Sequence, residues 1–198
     1  MTNTKYRKLS ELAEIQSGLV LSRKEVKNNS TLAVEYRNLN LRSINDDGSI
    51  NVQLLDRYLA SEKLEEQFIT GINDIILRLF PPFCPVFITK TLTGFVVPSQ
   101  FAIIRLQNDV LLPEFLCCYL AHRNILEVLA IRESGQTSGG IKISALSELN
   151  IPLPPVEKQK AIATYSEMNI KQKQLHLELI QQYDLKMDAV INSVIGGE

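Results

Sequence analysis

The chain has 198 residues, of which 45% are hydrophobic and 22% are charged, and its net charge is −1. This composition is typical of a globular protein with an apolar core, and it argues against a disordered chain or a uniformly basic nucleic-acid binder. The longest apolar run, residues 110–121, is interrupted by Pro113 and Glu114 and is too short to span a bilayer. The first residues lack the apolar segment of a signal peptide, and three cysteines do not make a disulfide framework, so we expect a cytoplasmic protein.

The charges are distributed unevenly along the chain. Residues 1–42 carry eight basic and four acidic side chains, residues 46–74 carry two and seven, and residues 75–142 carry six and four. Such blocks permit a basic face on a neutral protein, which contact with phosphates requires. An ordinary mixed surface is the alternative that charge alone leaves open.

The first third of the chain predicts a helix, two strands and a helical turn. A helix is predicted over 8–16, with Ser10 as its N-cap. Alternating apolar residues predict strands over 32–42 and 50–55, separated by an Asn-Asp-Asp-Gly turn. Residues 61–68 have the serine and glutamates of a capped helical turn.

The middle of the chain predicts strands and then a helix. The segment 71–79 is a turn followed by a buried strand, which two prolines end. The β-branched runs 86–90 and 94–97 predict a hairpin, and 100–106 alternates as a further strand. A proline then begins a helix predicted over 114–131.

The last third predicts a short helical turn at 144–149 after a polar, glycine-rich loop at 134–142. An extended piece at 151–153 runs into prolines that separate a globular body from a long helix. The forty residues after Pro155 contain no proline and no glycine before Gly196, and as one helix they would be roughly 60 Å long.

The long helix carries a narrow apolar seam, mostly at spacings of three, four or seven residues. Its members are Met168, Leu175, Leu179, Tyr183, Met187, Val190 and Val194. The seam favours pairing with another helix, and we predict a homodimer through these residues. A terminal helix packed on its own body is the alternative.

Several segments, in this order along the chain, resemble the specificity subunits of type I restriction–modification systems. They are Lys-Leu-Ser-Glu-Leu-Ala-Glu-Ile-Gln-Ser-Gly from residue 8, Gly-Ile-Asn-Asp-Ile-Ile-Leu-Arg from 71, Pro-Ser-Gln-Phe-Ala-Ile-Ile-Arg-Leu from 98, and Ile-Pro-Leu-Pro-Pro-Val-Glu-Lys-Gln from 151. The last is the most specific.

The resemblance implies an α+β target-recognition domain over 1–153, with a mixed or antiparallel sheet and flanking helices, and one long spacer helix over 154–198. It also implies a non-catalytic subunit that recognises double-stranded DNA and directs an adenine methyltransferase to a bipartite site. Such a subunit needs no cofactor, because S-adenosylmethionine belongs to the partner, and a nuclease subunit is a further partner in such systems. The resemblance also implies that full-length members carry this unit of domain and helix twice. Since the unit occurs once here, the chain is either a half-subunit that dimerises or a piece of a longer subunit.

The residues themselves offer no catalytic constellation. No phosphate-binding Gly-Lys-Ser/Thr sequence and no Gly-x-Ser-x-Gly sequence is present. Cys118 and His122 share a helix face at a spacing that arises readily by chance, so we predict no metal site.

Base edges and phosphates favour Arg, Lys, Gln, Ser and Thr as ligands. We predict DNA contacts first in the glycine-rich loop, and then at cations in or beside predicted strands. The candidates are Gln136, Thr137, Ser138, Lys142, Arg78, Lys90 and Arg42. The alternative function is an assembly protein that uses its long helix to bind other proteins.

Overall fold

The computed structural model describes residues 4–26, 33–134 and 140–195. Within these ranges the α+β fold predicted from the sequence is confirmed. The strands are β1 Lys5–Lys8, β2 Ala13–Ser17, β3 Val34–Asn38, β4 Asp56–Ala60, β5 Ile75–Arg78, β6 Pro85–Phe87, β7 Phe101–Leu106 and β8 Asn150–Leu153. The helices are α1 Pro113–Leu120, α2 Arg123–Ser134, α3 Ile143–Ser147 and α4 Val156–Ile195.

The core is built on a four-stranded antiparallel sheet with the order β2-β7-β5-β6. Because successive side chains of a strand point to opposite faces, β5 contributes side chains to two apolar clusters. Ile75 and Leu77 pack with the helices on one face, whereas Ile76 packs with Leu39 and Phe101 on the other. Burial on both faces explains why β5 is a continuous apolar run in the sequence.

Two smaller sheets complete the body. Strands β1 and β8 pair antiparallel, with Tyr6 opposite Pro152, which brings the N-terminal strand beside the segment that leads into α4. Strands β3 and β4 form a separate two-stranded antiparallel ribbon. The inner face of the ribbon packs on a third apolar cluster that includes Leu19, Leu64 and Val96.

A buried ion pair ties β7 to the turn before β5. The Arg105 guanidinium donates to both carboxylate oxygens of Asp74, at 3.0 to 3.2 Å, and to the carbonyl of Ile69 at 2.8 Å. Asp74 also accepts from the Gly71 N–H at 2.8 Å, and its side chain is only 5% exposed. A buried charge needs such partners, so this network has a structural role.

The helix predicted over 8–16 is wrong. A 3₁₀ turn at Leu9–Glu11 is followed by strand β2, which pairs with β7 along its whole length. The strand predicted over 50–55 is also wrong, because a 3₁₀ turn occupies Val52–Leu54 and β4 begins only at Asp56. Of the helical turn predicted over 61–68, only Glu66–Phe68 is helical, as a 3₁₀ turn.

Two predictions for the middle of the chain also need correction. The hairpin of 86–90 with 94–97 does not form, since β6 pairs with β5 and Val96 bridges Asn38 and Ile69. The single helix predicted over 114–131 is divided into α1 and α2 around Ala121 and His122.

The prediction of one long C-terminal helix is confirmed by α4, which spans 40 residues. Along its first half, α4 turns one face to the body, with Gln159 fully buried and Ala163 and Ile170 half-buried. From residue 171 to residue 195 every side chain is exposed. Packing on its own body, the alternative considered above, therefore holds only for the first half of the helix.

The last contact between α4 and the body is a hydrogen bond from Gln174 to the Asp47 carboxylate at 2.9 Å. Burial by itself would raise the pKa of Asp47, but hydrogen bonds from Ser49 and then from Gln174 outweigh it and lower that pKa. No helix among the described residues is long and apolar enough to cross a membrane.

Candidate nucleic-acid interface

The predicted DNA-binding cations lie in two groups on the body. Arg78 and Lys142 belong to one group, because the chain at Ile141 donates a backbone hydrogen bond to Leu79 at 2.8 Å. Gly140 lies directly against the Phe80 ring, which a Cβ at position 140 would approach within 2.7 Å. A larger residue at position 140 would force the Phe80 ring to move.

Arg78 is the last residue of β5 and is partly buried. Its Nη2 donates to the carbonyl of Pro81 at 3.2 Å, while its Nε is buried and, among the described residues, has no hydrogen-bond partner. Lys142 is exposed at the N-cap position of α3. Gln136, Thr137 and Ser138 lie outside the described residues, so their predicted role stays a prediction.

Arg42 and Lys90 lie in the other group, around the β3–β4 ribbon. Arg42 follows β3, and its Nη2 bonds to the Asp56 carboxylate of β4 at 2.8 Å, with both side chains well exposed. Lys90 is exposed at the start of a 3₁₀ turn, Lys90–Leu92. That turn leads to Phe95, whose ring packs against the same apolar cluster as Leu39.

The β3–β4 ribbon also carries two arginines that the sequence did not single out. Arg37 of β3 and Arg57 of β4 are directly opposite each other in the ribbon, and both are exposed. Arg57 pairs with Glu35 at 2.7 Å, and the Arg37 guanidinium lies 6.0 Å from the Phe95 ring centre. The incorrect strand prediction over 50–55 hid this pairing, because it gave β3 the wrong partner.

The described residues contain no group of three or more His, Cys, Asp or Glu side chains that could hold a metal ion. Cys84 and Cys117 lie in environments that suppress the reactivity of their thiols. Burial, followed by the charges of Asp46 and Asp47, raises the pKa of the Cys84 thiol to about 11. Desolvation raises the pKa of the Cys117 thiol as well.

We expect iodoacetamide at pH 7.5 to leave Cys84 and Cys117 of the folded protein unmodified. The thiolate fraction of Cys84 should be about 100-fold below that of an unperturbed cysteine with a pKa of 9.0, since the thiolate is the reactive form. Mass spectrometry of peptides after timed alkylation measures this, and urea-unfolded protein, in which every cysteine should react, is the control. Rapid alkylation of Cys84 in the folded protein would contradict its assigned environment.

Comparisons with known proteins agree with this architecture. The family described as "Type I restriction modification DNA specificity domain" matches residues 1–183. A search of curated proteins gave no significant match.

Solved structures share the fold. The chain is similar to the HsdS subunit from Thermoanaerobacter tengcongensis, with a TM-score of 0.69 and 16% identity over 98% of this chain and 48% of that one. It is equally similar to a chain from a structural study of complex assembly and conformational transition of the type I R-M system, with a TM-score of 0.68, 16% identity and coverage of 98% and 50%. The type I S subunit from M. genitalium follows, with a TM-score of 0.54, 10% identity and coverage of 92% and 44%. The chain thus spans about half the length of these proteins.

Proposed function

Because the chain belongs to the family of type I restriction–modification DNA specificity domains, a non-catalytic family of DNA recognition, we propose that it reads one half of a bipartite DNA site for a partner methyltransferase. Residues 1–153 form the reading head in this proposal, and residues 154–198 form the spacer helix. S-adenosylmethionine would be bound by the methyltransferase, and a nuclease subunit could join the same complex.

The observation that carries the proposal is the division of α4 into two halves. Its first half is fixed to the body through Gln159 and Gln174. Its second half has large apolar side chains exposed to solvent, with Leu179 at 51% and Tyr183 at 64%. Exposed apolar surface of this extent on one helix is typical of an interaction site.

The second half of α4 pairs, in this proposal, with the same helix of a second copy of this unit. The seven predicted seam residues are all exposed, between 51% and 76%. The half-buried Ala163 and Ile170 face the body, and helical geometry puts them on the side of α4 away from Met168 and Leu175. The seam is therefore available for a helix from outside. Two heads related by a two-fold axis would recognise two inverted half-sites at a fixed spacing.

Selection from a random duplex library tests the proposal. The purified protein, with and without the methyltransferase subunit, should enrich a bipartite motif with inverted-repeat halves. Absence of any enriched motif in both arms would overturn the DNA-reading role and favour the assembly-protein alternative. Enrichment of an isolated half-site would retain the reading head but contradict the two-copy arrangement.

A further inference from the structure

We propose that the outward face of the β3–β4 ribbon is a DNA-contacting element that enters the major groove, with Arg37 and Arg57 as its paired ligands for phosphates or guanine edges. This inference rests on the proposed function and names the residues that would contact the DNA.

The ribbon has one buried and one exposed face. Tyr36, Asn38, Tyr58 and Ala60 point inward. The Tyr58 hydroxyl donates to the Leu21 carbonyl at 2.8 Å, and the Tyr36 hydroxyl accepts from the backbone N–H of residue 64 at 3.0 Å. The ribbon is thus fixed to the body from beneath.

The exposed face presents Glu35, Arg37, Arg57 and Leu59. Neither β3 nor β4 has a further partner strand among the described residues, but single bridges join Asn38 of β3 to Val96 and Ala60 of β4 to Glu25 at the outer edges. Five residues per strand give the ribbon a length of about 17 Å and strands about 4.8 Å apart. The major groove is about 12 Å wide and admits a two-stranded β-ribbon. The exposed face of the ribbon is therefore small enough to be presented to this groove.

The charges on the exposed face favour an anionic ligand. Arg37 stands directly opposite Arg57, and like charges opposite each other destabilise an antiparallel pair. Glu35 already bonds to Arg57 at 2.7 Å, and no carboxylate among the described residues forms an ion pair with Arg37. The two exposed arginines repel each other weakly, and a negatively charged or acceptor-rich ligand would offset that repulsion.

The Arg37 side chain is already positioned by contacts within the protein. Its Nη2 donates to the carbonyl of Val52, a neutral acceptor, and its guanidinium lies beside the Phe95 ring. A guanidinium has five N–H donors in a planar fork, so most of them remain available after this one bond. Positioning in advance lowers the entropy lost when a bidentate contact to phosphate or guanine forms.

The test compares Arg37→Ala/Arg57→Ala with the wild-type chain, together with the methyltransferase subunit, on a duplex that carries the selected site. We expect affinity to fall by at least about 100-fold at fixed salt, and the slope of log K against log salt to decrease by about 1 for each arginine that contacts a phosphate. If an arginine instead reads a guanine edge, the selected motif should lose its preference at one position of each half-site.

Arg7→Ala is the matched control, because Arg7 is an exposed arginine in the other two-stranded sheet, opposite the uncharged Ile151. We expect it to bind DNA like the wild type. A second variant, Arg37→Gln, separates binding from folding: it should keep the wild-type melting temperature while losing affinity.

The outcomes are distinguishable. If the wild type binds its site and the double variant binds equally well with an unchanged salt slope, the ribbon assignment is wrong and the proposed function stands. If Arg37→Gln unfolds at a clearly lower temperature and binds DNA normally once folded, Arg37 is structural and the assignment is again wrong. If the wild type binds no duplex, the proposed function fails and the ribbon assignment fails with it.

Discussion

Aspartate in place of both Leu179 and Met187 is expected to convert a dimer into a monomer without unfolding the body. Both side chains are more than half exposed and lie in the part of α4 after Gln174, where every side chain is exposed. In a paired seam each aspartate would bury a carboxylate without a partner, and two-fold symmetry would repeat the effect in the second copy. We expect the dissociation constant of the dimer to rise by at least about 1,000-fold, or about 4 kcal/mol. Analytical ultracentrifugation over a concentration series measures it.

Gln181→Asp is the control for this experiment, since Gln181 is exposed on the side of α4 away from the seam. It should leave the dissociation constant nearly unchanged. A chain shortened after Gln174 should also be monomeric, because it retains the contacts of α4 with the body and lacks most of the seam. A wild type that stays monomeric at every concentration, or a double aspartate variant that dimerises normally, would contradict pairing through the seam.

Gln159→Leu is expected to destabilise the protein by about 2–4 kcal/mol. The Gln159 side chain is fully buried, its Oε1 accepts from the N–H of Leu112 at 2.8 Å, and its Nε2 donates to the carbonyls of Val110 and Pro154 at 2.9 Å. Leucine fills a similar volume but removes the amide partner of these three backbone groups, and each group that stays buried without a partner costs about 1–3 kcal/mol before any relaxation. Urea unfolding at a fixed protein concentration measures the change.

Gln181→Leu applies the same substitution at an exposed position of the same helix and should change the free energy of unfolding by no more than about 0.5 kcal/mol. Equal stability of the Gln159→Leu variant and the control would show that the buried amide does not fix α4 to the body.

The position of Gln159 also decides which truncated chains should keep a folded body. A chain cut after Val156 loses this residue, whereas a chain cut after Gln174 keeps it, so only the second cut is expected to leave the body intact.

Local features of the sequence were sufficient to predict elements that depend on neighbours along the chain. The long helix follows from forty residues without a helix breaker after Pro155. The apolar run within 71–79 predicted a buried strand, and the structure has it as β5, Ile75–Arg78. The proline-rich segment at 151–155 marked the end of the body, and the family resemblance it carried is confirmed.

Elements that depend on a partner strand were predicted poorly. Residues 8–16 have helical spacing at Leu12 and Ile15, but Ile15 lies opposite Ile104 in the central sheet, and strand pairing prevails over local propensity. The error over 50–55 has the same origin, because β4 is defined by its register with β3, more than twenty residues earlier.

The features of the candidate site likewise fall into those that the sequence predicted and those that only the structure revealed. The sequence by itself determined the family, through ordered motifs that resemble it, and the apolar stripe on α4, through its periodicity, because motifs and periodicity are properties of neighbouring residues. Only the tertiary structure decided that Arg37 faces Arg57 across a ribbon and that Gln159 is buried among backbone groups of Val110, Leu112 and Pro154. Strand register and burial bring together residues that are distant in the chain, and no local pattern encodes those distances.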